Sequence, residues 1–295
     1  MKRIRSKSQF QPLEFELIAQ ASCEDPAFRE ALKWVRANYK NPAIVLGTYD
    51  LQAKQGPIRG SSSYSRYPLV EGYREVTQDL TAFPITPRQS ERALSKNMLI
   101  TPIETYEDLG FIVKPRNIKI NPRLCNYLIQ QVKADFPNVN PEEPFILTGL
   151  PHITEHDDYE NGLKVDANKL TIVYNNPILN QSSDNFDSDD PGLLGDGLPS
   201  KLGKGKRTLY NSDVGGVFRF FRNRDLGLDA GLGGLAGSVD GGRVNVAKNF
   251  PGGNNFSLED YTKRAEERIA KKYQAEVDRL KKIVDKSIAE IKASK

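Results

Sequence analysis

Phe218-Arg219-Phe220-Phe221-Arg222-Asn223-Arg224 is the stretch on which the reading of this chain turns. As a strand it would send Phe218 and Phe220 to one face and Arg219 and Phe221 to the other, because side chains alternate along extended backbone. That pattern suits a half-buried strand with solvated arginines. The heptapeptide lies within residues 175–256, which carry no convincing helix and one further hint of strand, Arg243 to Val246. Unstructured stretches beyond roughly 12 to 15 residues are uncommon inside compact domains. The expectation is an extended segment outside the body of the protein.

Proline and glycine divide the chain in the same place. Fourteen of the 18 prolines fall by Pro151, and sixteen of the 23 glycines fall between Gly192 and Gly253. Each X-Pro step pushes the preceding residue out of the helical region, so the first part should consist of short elements. Asp25-Pro26 opens a helix from Ala27 to Lys40, with Phe28, Ala31, Leu32, Val35 and Tyr39 on one face. Asn121-Pro122 repeats the signal, with Leu124, Cys125, Leu128, Val132 and Phe136 inward. Short strands are expected at Ala43 to Leu46, Phe111 to Val113, Ile118 to Ile120, Phe145 to Thr148 and Leu170 to Tyr174. The predicted class is α+β: a proline-punctuated body over 1–174, an extended acidic-then-basic Gly-rich arm over 175–256, and a long amphipathic helix over 257–295.

That helix starts at Ser257, with Asp260 where a capping-box acid belongs, and meets no Gly or Pro. Tyr261, Ala265, Ile269, Tyr273, Val277, Leu280, Val284, Ile288 and Ile291 form a seam one residue wide between Lys and Glu. A seam so narrow suits pairing with another helix better than burial in a globule. Ile269 to Ile291 are therefore the expected oligomer contacts.

Composition restricts the function classes. Of 295 residues, 38% are hydrophobic, and 42 Lys+Arg against 38 Asp+Glu leave a net charge of +4. Mean hydropathy is −0.55. So mild a charge does not require a nucleic acid or an anionic membrane. No apolar run approaches a membrane span, and Met1-Lys2-Arg3-Ile4-Arg5 is not followed by the apolar core of a signal peptide. A cytoplasmic or virion location is expected, with no cofactor. Two distant thiols, Cys23 and Cys125, make neither a disulfide framework nor a thiolate zinc site, and Cys125 reads as a small buried hydrophobe.

Three motifs bear on chemistry. His152-Ile153-Thr154-Glu155-His156, holding both histidines, resembles the H-x-x-E-H motif of inverzincin metallopeptidases. The resemblance implies zinc held by His152 and His156 on a helix, yet Pro151 precedes the motif and no Glu lies between Glu160 and Glu259 to act as third ligand. Asp184 to Gly192 offers oxygens to calcium, but Pro191 and Leu198 stand where an EF-hand needs ligands. Lys201 to Thr208 lacks the spacing of a phosphate-binding loop. Residues 151–200 hold ten acids and two lysines, and 201–224 hold seven bases and one acid. Opposite runs so close invite pairing within the chain or with a neighbouring copy. Arginines interleaved with aromatics at 218–224 also suit a nucleic-acid surface, a reading not favoured over the strand.

Arg224-Asp225-x-x-Leu228-x-Ala230, Leu235-x-x-Ser238 and Gly242-Arg243-Val244-x-Val246 together resemble the variable segment of target proteins diversified by retroelements. Those proteins use a C-type-lectin-like fold. The resemblance covers residues 214–246 and implies that Gly227, Asp229, Gly231, Gly233, Gly234, Gly237, Asp240 and Gly241 form a ligand-facing surface. The favoured expectation is instead a non-enzymatic structural subunit of a large protein assembly, such as a virion, that binds copies of itself or other subunits. A diversified ligand-binding protein and a zinc metallopeptidase are the alternatives.

Overall fold

The computed structural model describes residues 2–5, 15–22, 24–41, 61–79, 81–96, 105–148, 153–155, 163–165, 171–174, 176–223, 225–236, 241–249, 274, 277–278 and 280–285. The chain forms two compact units, Met1–Gly253 and Asn254–Lys295. The first is α+β, as expected.

Two adjacent strands organise it. β4 (Tyr106–Lys114) and β12 (Gly215–Arg222) run antiparallel, Val217 opposite Val113 and Phe218 opposite Ile112. Outward from β4 lie β6 (Phe145–Thr148), β9 (Thr171–Tyr174) and β1 (Lys2–Arg5). Outward from β12 lie β13 (Leu228–Ala230), β11 (Arg207–Asn211) and β10 (Asp184–Phe186). Two short strands, β5 (Ile118–Ile120) and β14 (Gly242–Arg243), pair beside β12 and β4. A second sheet sets β15 (Asn245–Asn249) between β2 (Phe15–Gln20) and β3 (Ala82–Pro84), and β7 (Ile153–Glu155) pairs with β8 (Leu163–Val165).

Both faces of the large sheet are covered. One carries Phe111, Val113, Phe145, Leu147, Ile172 and Val217 against Leu124, Cys125, Leu128 and Val132 of α4 (Pro122–Asp135). The other carries Ile112, Ile146, Val173, Phe218 and Phe220 against Ala93 of α3 (Pro87–Ser95) and Leu193 of α5 (Pro191–Asp196). Phe28, Ala31 and Leu32 of α1 (Pro26–Asn38) pack with Leu69, Val70 and Tyr73 of α2 (Arg66–Thr77) and with Val246.

The two proline-led helices stand where the start signals put them. Asp25 accepts from the Ala27 amide at 2.8 Å, capping α1. Asn121 does something different: its φ is +48°, and its side-chain amide donates to the Val217 and Gly233 carbonyls at 2.8 and 2.7 Å. It ties the start of α4 to β12 and its glycine-rich neighbour. Four of the predicted strands appear as β4, β5, β6 and β9, while Ala43 to Leu46 lies outside the described residues.

Residues 175–256 correct the expectation of an extended arm. Their described residues supply β10 to β15, and β12 is the longest partner of β4. The reason is strand length and spacing: apart from the eight-residue β12, elements of two to five residues give no periodic signal, yet each finds backbone partners in the two sheets. The acidic and basic runs do meet within the chain, through the antiparallel β10–β11 ladder.

Gly216 shows how closely β12 fits beside β5. Its φ is +139°, and a Cβ there would stand 2.1 Å from the Ile120 carbonyl oxygen. Gly216→Ala should therefore destabilise the first unit by about 2–3 kcal/mol, through positive-φ strain and a backbone clash. The midpoint of urea unfolding checks this; an unchanged midpoint would contradict it.

Candidate functional site

Polar and charged groups concentrate where β4 and β12 cross α2 and α3. The arginines of β12, expected in solvent, are buried: Arg219 is 6% and Arg222 2% exposed. Helices on both sheet faces leave this strand no solvent side, so each guanidinium must find its partners inside.

A one-residue bulge provides them. Phe220 faces Gly110 and Phe221 faces Asp108, so Leu109 is the extra residue on β4. Arg219 donates to both Asp108 carboxylate oxygens at 2.9 Å. Its guanidinium carbon lies 4.9 Å from the Tyr106 ring centre and 5.2 Å from that of Phe221. Ser63 adds a hydroxyl to Asp108 at 3.0 Å. Arg222 donates to Glu107 at 3.0 Å and to the Ser90 hydroxyl, and Asn245 donates to the other Glu107 oxygen at 2.7 Å. Alongside, Arg207 makes a two-pronged pair with Glu91 at 2.8 and 2.6 Å while stacking 4.7 Å over Phe186. Arg66 donates to the carbonyls of Asp108 and Ile85, closing the cluster from α2.

The electrostatics differ between the pairs. Burial works against the Arg219 charge, but Asp108 outweighs it and holds the guanidinium above its usual range. Burial dominates the second pair, pushing the Glu107 carboxyl up and the Arg222 guanidinium down despite their contact. Three nearby groups are also driven toward their neutral forms. Burial pushes the Cys125 thiol and the Tyr67 phenol each up to about 12. Lys114 is pushed down to about 8 by burial, against the pull of Asp213, while its ammonium donates to Asn211 and the Ser212 carbonyl. What this arrangement does chemically is join six elements, β4, β11, β12, β15, α2 and α3, by charge-assisted bonds.

The sequence-predicted sites scatter. His152 and His156 lie outside the described residues, and among the described residues no three His, Cys, Asp or Glu are grouped to hold a metal. In the acidic run, Asp190 is committed: it accepts from the amides of Gly192, Ser200 and Lys201 and from the Ser200 hydroxyl, at 2.7 to 3.2 Å. Of the positions implied as ligand-facing, Gly237 and Asp240 lie outside the described residues. Gly231 and Gly234 are exposed and have room for a side chain. A Cβ on Gly233 would meet Ile120 at 2.2 Å, and one on Gly227 the Thr208 carbonyl at 2.9 Å. Asp229 is half-buried in β13 opposite Phe221, and Gly241 gives its carbonyl to the Tyr106 amide. The described positions run from the residue before β13 to the residue before β14.

Within the second unit, residues 274, 277–278 and 280–285 are helical. Val277, Leu280, Ile283 and Val284 are 53, 53, 49 and 54% exposed. Ile269, Tyr273, Ile288 and Ile291 of the expected seam lie outside the described residues. No family model, curated protein or solved structure matches this chain.

Two tests follow from the charge arrangement. Removing one member of the Asp108–Arg219 pair leaves the other charged and buried, so Asp108→Asn or Arg219→Met should each cost about 3–5 kcal/mol. The double variant should be markedly less damaged than the sum, as a double-mutant cycle in urea would show. Asp190 gives a pH test. Burial opposes its ionisation, but the donors from Ser200, Gly192 and Lys201 together hold the carboxyl below its ordinary value. A carboxyl depressed in the fold contributes stability above the unfolded pKa, near 3.9, and loses it as pH falls through the folded value. The stability advantage over Asp190→Asn should therefore be full at neutral pH and shrink in acid below about pH 4. A constant difference across that range would refute the assignment.

Proposed function

We propose that this protein is a non-enzymatic structural subunit that builds a larger protein assembly through its C-terminal helix, a virus particle being one assembly of that kind. The observation that supports the reading is the half-exposed row Val277, Leu280, Ile283 and Val284 on adjacent helical turns. Single exposed aliphatic residues are ordinary, and the first unit shows them singly at Val76, Leu194 and Leu232. A contiguous row on one helix is a surface that association would bury. The interior of the first unit supports the same reading, because its charged side chains bond to each other across elements.

The test is mass against concentration. Sedimentation equilibrium of the full-length chain should show association, and Leu280→Asp with Val284→Asp should weaken it. Withdrawing two half-exposed aliphatic side chains is worth at least about 2 kcal/mol, or roughly thirtyfold in dissociation constant. Unchanged association in the double variant would remove this helix from the interface.

A further inference from the structure

We infer that Lys114 and Asn211 are a site of self-modification, at which the lysine amine and the side-chain amide condense into an isopeptide bond tying β4 covalently to β11. The inference concerns the first unit alone and does not rest on the assembly reading. Lys114 ends β4 opposite Gly216 of β12, and Asn211 ends β11 shortly before β12 begins. By strand alternation Lys114 shares the side of Ile112, and Asn211 that of Leu209, both in the interior layer that includes Phe218. The amine is therefore inside: Lys114 is 7% exposed, and its Nζ lies 5.1 Å from the Phe218 ring centre. Its hydrogen-bond partners among the described residues are the neutral Asn211 Oδ1 and the Ser212 carbonyl. A lysine buried this far is ordinarily paired with a carboxylate. Here the amine meets an amide instead.

That amide is held in one orientation. Asn211 Nδ2 donates to the Gln181, Leu179 and Ile178 carbonyls at 2.7, 3.3 and 3.4 Å, which only the nitrogen end can do. Oδ1 is thereby turned to the amine, and the electrophilic Cγ one bond behind it stands within reach of Nζ. Burial, which pushes Lys114 down to about 8, supplies a share of neutral, nucleophilic amine near neutral pH. Amides resist amines in solution, but holding the two groups together is worth effective concentrations on the order of 10⁵ M or more. In the step, the Nζ lone pair attacks Cγ, a C–N bond forms, and the Cγ–Nδ2 bond breaks with its electron pair on nitrogen. One amine proton passes to that nitrogen, which leaves as ammonia; Asp213, whose charge acts on the same amine, is the group to relay it. Neither oxidant nor cofactor enters the balance. The carbonyls of the turn Pro177–Asn180 and of Gln181 then face the departing ammonia, which has a hydrogen for each of the three.

Mass spectrometry of the purified, denatured full-length chain decides the matter. The intact mass should fall short of the sequence mass by one ammonia, and trypsin should release residues 97–116 joined to 208–219 as one peptide. Lys114→Arg keeps a cation and donors at the site but has no amine able to condense. It should restore the full sequence mass and separate the two peptides. An ammonia loss that persists in Lys114→Arg lies at another residue and overturns the bond. A wild-type chain of full sequence mass, with 208–219 released unlinked, overturns it as well, and that measurement stands whether or not the variant folds.

Discussion

The two-pronged bond between Arg219 and Asp108 is the constraint on which the first unit depends. It joins the two central strands of a sheet covered on both faces, so neither charge has water to fall back on. An ion pair of this kind is poor evidence of net stability, since desolvating two charges costs several kcal/mol per ion. Its effect is on register. Slipping β12 by one residue would turn Arg219 toward the layer of Ile112, Ile146 and Phe218 and leave Asp108 facing no cation. The Leu109 bulge belongs to the same constraint. Asp108 and Glu107 are neighbours on one strand, and the inserted residue sets the phase in which one reaches Arg219 and the other Arg222.

Edge protection is built with equal economy at the β10 end of the sheet. The Asn185 carbonyl accepts from the Gly203 amide at 2.9 Å, and the Asn185 amide donates to the Asp184 carboxylate at 2.7 Å. Backbone groups that an edge strand would offer to another chain are thus taken up locally. Gly203 and Gly205, with φ of +108° and +113°, allow the lysine-bearing loop to double back against β10, and Asp190 fastens the start of that loop. Pairing of copies by strand addition is therefore opposed at this edge.

How much of this was legible in the sequence depended on the range of the forces involved. Helices α1 and α4 are local objects: a proline at the first turn and an apolar stripe at 3.6-residue spacing sufficed, and the inward residues of α4 from Leu124 to Phe136 are all buried. Arg219 and Arg222 were misread because alternation predicts two unlike faces, whereas the faces here are both interior. The missing information was 111 residues away, in Asp108. One signal was present: adjacent acids Glu107-Asp108 inside an apolar run, with two arginines three apart inside another. Unpaired, either set would be intolerable in a strand core, so their joint occurrence implied contact. The short strands β10, β11 and β13 carried no such signal, because three to five residues cannot display a period.

The contrast between the two units makes the assembly reading more than an appeal to exposed surface. In the first unit even arginines are brought under cover, with carboxylates, carbonyls and aromatic rings placed to receive them. A chain that hides its charges this thoroughly has no general shortage of packing partners. Among the described residues the exposed aliphatic side chains of the first unit stand singly, whereas Val277, Leu280, Ile283 and Val284 lie together on one helix. Residues of this type gain by leaving water.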